Sequence, residues 1–211
     1  MAIKWPFTLS FEGIDKCGKR TQMFAIKDWL KTETGKDVFS MSHPNDQFSL
    51  MGQHIRRILQ HEVPFPGNLE LQKMFTVDQA QSWHCWIQPA LEQGSSVLLE
   101  RYHHSTLAYS LACGQISEVD MISLRGNIIG ETFKWPDMTF IIDISPEEAM
   151  RRMEVTRERP EYFEKEDRLK QVRSRYFILV GRYGRAVLIN GERPKEEVTE
   201  NIKAIIRQNF F

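Results

Sequence analysis

The hydrophobic pattern of the chain switches between two periods. Runs at 6–11, 38–41, 96–99, 138–142 and 186–189 are apolar over four to six residues and predict short strands buried on both faces. Between them, apolar residues recur every three or four positions, as in helices with one buried side. The segment 19–30 carries Met23, Phe24, Ile26, Trp29 and Leu30, and residues 32–36, with Gly35, then predict a polar turn. The segment 68–93 carries Leu71, Phe75, Val77, Ala80, Trp83, Trp86, Ile87 and Leu91. It predicts one long helix, kinked or shortened by Pro89 and capped by Gly94. Shorter helices are predicted over 50–59, 105–113, 118–129 and 194–208. Another opens at Pro146 behind Ser145, and one ends near Gly181.

Strands alternating with helices define an α/β domain with a five-stranded parallel sheet covered on both faces. Ligands of such sheets bind beyond the carboxyl ends of the strands. Three segments follow strands: the Gly-rich stretch after the first, the His43-Pro44 loop after the second and Glu100-Arg101 after the third. They are expected to converge on one edge.

Gly13, four residues, Gly18 and Lys19 make up most of a phosphate-binding P-loop, placed at a strand-to-helix junction. Amides of such a loop point inward as an anion nest, and the helix N-terminus adds its dipole. Lys19 is then expected to bridge the outer phosphates. Ser or Thr should follow the lysine to hold Mg²⁺, but Arg20 stands there and Thr21 comes next. A Gly-rich turn with a surface lysine is the competing reading.

Composition narrows the partners. Basic and acidic residues number 28 each over 211 residues, so no global field draws the chain toward nucleic acid or anionic lipid. No apolar run is long enough to span a bilayer. The N-terminal stretch runs into Glu12 without a small-residue cleavage site, and reads as a strand rather than a signal peptide. Cys17, Cys85 and Cys113 form no CxxC pair and read as reduced thiols of a cytoplasmic protein. The length suits a single domain over 1–211.

Glu100-Arg101 offers a carboxylate for a Mg²⁺ water or a hydroxyl proton, and a guanidinium for a substrate phosphate. It is equally readable as an ion pair at the sheet edge. Arg151, Arg152, Arg157 and Arg159 form either a solvated face paired with neighbouring glutamates or an arginine-bearing lid at about 151–163. His84-Cys85 and His103-His104 lack a complete metal set.

Taken together, these segments resemble the thymidylate kinase family of nucleoside-monophosphate kinases, over nearly the whole chain and in the family's order. Phe11-Glu12-Gly13-Ile14-Asp15, with Gly18-Lys19 and Thr21-Gln22, looks like the family's opening. Leu71 to Gln81 resembles its base-binding helix. Glu100-Arg101-Tyr102 with Ser105-Thr106-Leu107-Ala108-Tyr109 resembles its Asp-Arg-Tyr segment and the continuation of that segment. Pro136-Asp137 and Pro146-Glu147 flank a strand similar to the one before the family's lid, and Phe163-Glu164-Lys165 is similar to the segment after it.

The resemblance implies a three-layer α/β/α P-loop NTPase fold with a short helical lid. It implies transfer of the γ-phosphate of MgATP to dTMP, giving dTDP and ADP, in a homodimer. ATP phosphates fall to Gly13, Ile14, Asp15, Lys16, Cys17, Gly18, Lys19, Arg20 and Thr21, with Arg152 alongside. Asp15 holds the acceptor sugar, Phe75 stacks on the base beside Gln79, and Arg101 and Arg56 grip the acceptor phosphate. Tyr109 lies under the sugar, with Pro44 and Ser105 on the same side. Lys16, Arg157 and Arg159 join Lys19, Glu100 and Arg101 as catalytic candidates, and Thr21 and Glu100 are candidate indirect Mg²⁺ ligands.

Four positions depart from the family. Gln79 stands where an arginine usually contacts thymine, Glu100 replaces Asp, Ser42-His43-Pro44 lacks an arginine, and Arg20 removes the Mg²⁺ hydroxyl. Two alternatives stay open: a deoxynucleoside kinase, which often has Glu-Arg at this point, and a catalytically weak nucleotide-binding protein. Asp15 and the 105–109 segment favour the monophosphate kinase.

Overall fold

In the computed structural model, residues 5–156 and 165–211 are described, so Arg157, Arg159 and most of the expected lid lie outside the described residues. The strands are β1 (Thr8–Glu12), β2 (Val38–Ser42), β3 (Ser96–Glu100), β4 (Met138–Asp143) and β5 (Ala186–Asn190). All pair in parallel, in the order β2-β3-β1-β4-β5. Helices α1 (Lys19–Thr34), α2 (Leu50–Leu59), α3 (Asn68–Ser82), α4 (Gln88–Glu92), α5 (His103–Cys113) and α6 (Glu118–Ile129) surround the sheet with α7 (Pro146–Thr156), α8 (Glu166–Leu179) and α9 (Lys195–Phe210). The expected α/β architecture with a five-stranded parallel sheet is present.

Side chains of β3 alternate between two cores, as strand geometry requires. Leu98 packs in the larger core with Met23, Ile26 and Leu30 of α1. Val97 and Leu99 join a smaller core with Trp83, Ile87 and Ile129. The register sets Phe11 and Ser42 on either side of Glu100, so the loops leaving β1, β2 and β3 emerge at one height.

The strands are less uniformly apolar than expected. β1 alternates: Leu9 and Phe11 face one way, while Thr8, Ser10 and Glu12 are buried on the other. The polar side is satisfied internally. Ser10 Oγ lies 3.1 Å from Thr139 Oγ1, and a Glu12 oxygen accepts from the Tyr102 amide at 2.8 Å. A buried polar column of this kind is stable only when each group finds a partner.

Helix boundaries also shift, for local reasons. Helix α1 runs through the expected polar turn to Thr34, because Thr32 and Thr34 donate to carbonyls four residues back, at 3.0 and 2.7 Å. Gly35 then closes it at φ 66°. The expected long helix over 68–93 breaks earlier than its last turn. A π-helical turn, Trp83–Ile87, separates α3 from α4, with the Gln88 amide donating to Trp83 O. Pro89 has no N–H for Cys85 O, and its ring would collide with that carbonyl in a regular helix. Helix α5 starts at His103, two residues early, and α9 continues to Phe210, whose ring lies 4.6 Å from Phe7.

His103-His104 packs against aromatic rings. His103 lies 3.7 Å from the Tyr102 ring and 4.1 Å from Phe133. His104 Nε2 is 3.0 Å from Tyr183 O, and burial pulls its pKa down to about 4. Among the described residues, no group of three or more His, Cys, Asp or Glu is arranged to hold a metal. No described helix is long and apolar enough to cross a membrane.

Candidate active site

The loop between β1 and α1 has the shape its glycines demand. Gly13 sits at φ +132°, and a Cβ there would fall 2.3 Å from Ile142 O. No other residue fits that position. Gly18 caps α1 in the left-handed region at φ 93°, and Lys16 shares that region at φ 60°. Lys19 opens the helix and is 4 % exposed. Its Nζ donates to Ile14 O at 2.7 Å and lies 3.7 Å from Cys17 Sγ. The Cys17 thiol is buried beneath the loop, and burial pushes its pKa up.

A cleft of about 1500 Å³ runs along the carboxyl edge of the sheet. The loop from Asp15 to Gln22 lines one part, with Arg151, Arg152, Arg193 and Lys195. Arg152 is anchored by Lys16 O at 3.2 Å and Gly191 O at 3.0 Å. The other part is lined by Pro44, Arg56, Gln72, Phe75, Gln79, Glu100, Arg101, Ser105, Thr106 and Tyr109. Nearly all the expected site residues of the described chain therefore share one cavity. Gly13 and Ile14 sit behind its lining, where they shape the loop.

At the junction of the two parts, Arg101 is held at φ 57°, a region costly for any residue that carries a Cβ. Its guanidinium pairs with Asp15 and lies 3.3 Å from the Tyr109 hydroxyl, which donates to Asp15 at 3.0 Å. Burial alone would raise the Asp15 carboxyl, but Arg101 and Lys19 outweigh it and hold it below its ordinary range. Glu12, behind this group, accepts from the Tyr102 amide and from Ser105 Oγ and so fixes the turn that carries Arg101. Burial pushes the Glu12 carboxyl up in spite of these donors.

Arg20 lines the cleft and pairs across it with the end of β3. Its Nε donates to Glu100 Oε2 at 3.0 Å, and Ser42 Oγ donates to the same oxygen at 2.7 Å. Two departures from the family pattern are thus partners. Burial would raise the Glu100 carboxyl, yet Lys19, Ser42, Arg101 and Arg20 together bring it below its usual value. Arg56 pairs with Asp46 at 3.0 Å on the cleft's far wall.

Helix α3 presents a buried polar face: Gln72, Thr76, Asp78, Gln79 and Ser82 are at most 2 % exposed. Gln79 Nε2 donates to Tyr102 O at 3.1 Å and Thr106 Oγ1 at 3.0 Å, and its Oε1 accepts from Arg125 at 2.8 Å. Gln72, Thr106, Glu12 and Arg125 were not among the expected site residues. For Arg125 a sequence signal exists. It lies four residues after Met121 and four before Ile129, the buried face of α6.

A glycine loop with a lysine at the head of a helix, opening on a cleft with a second cationic half, defines a P-loop phosphotransferase with room for donor and acceptor. The family profile described as thymidylate kinase matches residues 11–202, and the chain belongs to that family. It is 31 % identical over 210 residues to a thymidylate kinase of Leptospira interrogans, covering 100 % of this chain and 98 % of that one. A thymidylate kinase of Chlorobaculum tepidum is 35 % identical over 162 residues, covering 75 % and 72 % of the two chains. The crystal structure of thymidylate kinase from Ehrlichia chaffeensis superposes with a TM-score of 0.75 at 21 % identity, covering 96 % of this chain and 99 % of that one. At that identity it shows the shared fold.

Proposed function

We propose that the chain transfers the γ-phosphate of ATP to dTMP, giving dTDP and ADP. The observation that carries this choice of acceptor is the state of Glu100. Transfer to a nucleoside hydroxyl needs a base to take the proton. A nucleoside monophosphate offers a phosphate oxygen already ionised near neutral pH, and needs none. Glu100 is a weak base: its carboxyl is held below the usual range, and one oxygen is taken by Arg20 and Ser42. This suits a phosphate acceptor and disfavours a deoxynucleoside kinase.

In this reading ATP lies along the loop 15–22, between Lys19 and Arg152. The acceptor base lies against Phe75, its sugar near Asp15 and Tyr109, and its phosphate between Arg101 and Arg56. Transfer is in line, and positioning with charge stabilisation does the chemistry. Lys16 and Arg101 bracket the transferred group, with Arg151 and Arg152 of α7 lining the cleft beside them, within a single domain.

The residues present fit Mg²⁺ held through water. Thr21 lines the cleft, and Glu100 keeps one carboxylate oxygen without a hydrogen-bond partner among the described residues. When bound, the ion neutralises phosphate charge. Replacing Arg20 by Ser takes the charged donor off the second oxygen of Glu100 and leaves only Ser42 on it. Arg20 is 61 % exposed, so the lost pair costs less than about 1 kcal/mol of stability. The Mg²⁺ concentration for half-maximal rate is expected to fall by a factor of about three to five, the equivalent of an exposed ion pair. A Mg²⁺ titration at fixed ATP checks this, and a rise would show that Arg20 assists the metal.

Homodimerisation is supported by an apolar surface at the start of α2. Phe48 and Leu50 are 57 % and 82 % exposed, and the Phe48 ring lies 5.8 Å from Trp86. Three cysteines without disulfide partners and ATP as donor support a cytoplasmic setting. The deciding assay follows ADP release with dTMP, other deoxynucleoside monophosphates and thymidine. The highest kcat/KM is expected for dTMP; equal or faster use of thymidine would overturn the reading.

A further inference from the structure

Arg125 has no place in the scheme above. It is 2 % exposed, and among the described residues its hydrogen-bond partners are neutral: Gln79 Oε1 at 2.8 Å and Thr76 Oγ1 at 3.5 Å. Among the described residues no carboxylate forms an ion pair with it. Glu12 acts on it only through space, and burying a guanidinium without a bonded carboxylate costs several kcal/mol, so a bland packing role is a poor account of it.

What Arg125 fixes is the Gln79 side chain, at the position where the family usually places a guanidinium itself. Arginine can only donate and the Tyr102 carbonyl can only accept. These two one-way groups grip opposite ends of the Gln79 amide and permit a single orientation, with Oε1 toward α6 and Nε2 toward α5. Both protons of Nε2 are then committed, to Tyr102 O and to Thr106 Oγ1. Since Thr106 accepts from Gln79, its own proton is left to donate. Among the described residues its only acceptor is Tyr102 O, at a poor 3.4 Å. Thr106 and Gln79 both line the cleft. The Arg125 charge, one side chain behind them, adds a positive potential in the same direction.

We infer that Arg125 is a specificity-determining positioning residue. Through Gln79 it sets Thr106 as a hydrogen-bond donor to the acceptor base, so the pocket takes a pyrimidine with a carbonyl at that edge and rejects one with an amino group there. Without Arg125, the Gln79 amide is held at one end only and can turn into the cleft, where it both donates and accepts. The preference for a keto edge over an amino edge is then lost. The inference rests on the proposed function, since it concerns the acceptor base of that same reaction.

The test compares dTMP, dUMP and dCMP as acceptors for the intact enzyme and for Arg125→Met. In the variant, the ratio of kcat/KM for dTMP over dCMP is expected to fall at least about tenfold, the scale of one lost polar contact. The fall should lie chiefly in a raised KM for dTMP, with dUMP following dTMP because both present the carbonyl. A ratio that stays constant, with all acceptors slowed alike, overturns the inference and leaves Arg125 a packing residue. Should Arg125→Met fail to fold, Arg125→Gln keeps the contact polar but can accept as well as donate, so the Gln79 amide is no longer fixed. The ratio of kcat/KM for dTMP over dCMP is then expected to fall at least about threefold, and an unchanged ratio overturns the inference. Calorimetric binding of dTMP against dCMP gives the same answer without turnover. If the unaltered enzyme fails to prefer dTMP, the proposed function itself has failed; if it does prefer dTMP and Arg125→Met keeps that preference, only the role of Arg125 has.

Discussion

Lys19→Ala is expected to lower the rate of ADP release in the presence of dTMP by about three orders of magnitude, the scale for losing a preorganised electrostatic donor. The structure explains why the effect should fall on rate. Lys19 is buried at the head of α1 and its ammonium rests on Ile14 O, within the loop it serves. Transfer of that ammonium from a carbonyl to a phosphate oxygen requires no change in the fold, so the site is preorganised. Losing the carbonyl contact costs stability by about 1–3 kcal/mol, which a thermal melt separates from the loss of rate. Retention of full activity would show that the glycine loop is a turn and not a phosphate cradle.

The second large effect is expected at Arg101. Arg101→Met leaves Asp15 largely buried with its principal cation gone. Removing one partner of such a pair destabilises by about 3–5 kcal/mol, and the lower end applies here, because the two side chains keep 18 % and 19 % exposure. Transfer should also drop by about a thousandfold, since the phosphate grip goes with the cation. Adding Asp15→Asn separates the two losses: the double variant should regain much of the stability and none of the activity. Denaturant midpoints and ADP release measure the two. Full stability in Arg101→Met would mean that the Asp15 pair does not hold the junction. The pair also imposes a pH signature. The Asp15 carboxyl is held below its ordinary value in the fold, so its contribution is fully present above about pH 4. That contribution is lost as pH falls through the lowered native pKa.

Some of this was legible from sequence because it depends on neighbours along the chain. The P-loop could be read from Gly13, Gly18 and Lys19 because a strand-to-helix turn is local chemistry. The meeting of Asp15, His43-Pro44 and Arg101 on one edge follows from parallel topology alone. Other features depend on what lies across a contact. Arg20 and Glu100 read as two separate departures, although 80 residues of chain fold back to make them one ion pair. The polar face of α3 was hidden because Thr76, Asp78 and Gln79 sit where the apolar pattern around Phe75 and Ala80 implies a core. Pro89 was readable as a break, yet the helix yields at Trp83, since the proline ring acts on the turn before it.

The left-handed backbone of Arg101 has a consequence for anyone who engineers this chain. Only glycine takes that conformation without strain, so a redesign guided by backbone conformation alone would choose position 101 for replacement by Gly. Relief of the backbone strain gains about 1–2 kcal/mol, less than the roughly 3 kcal/mol lost with the Asp15 pair, so the glycine variant would melt earlier and be inert. At this position thermal and functional screening keep the same residue, and a rule that reads the backbone without the ion pair discards it.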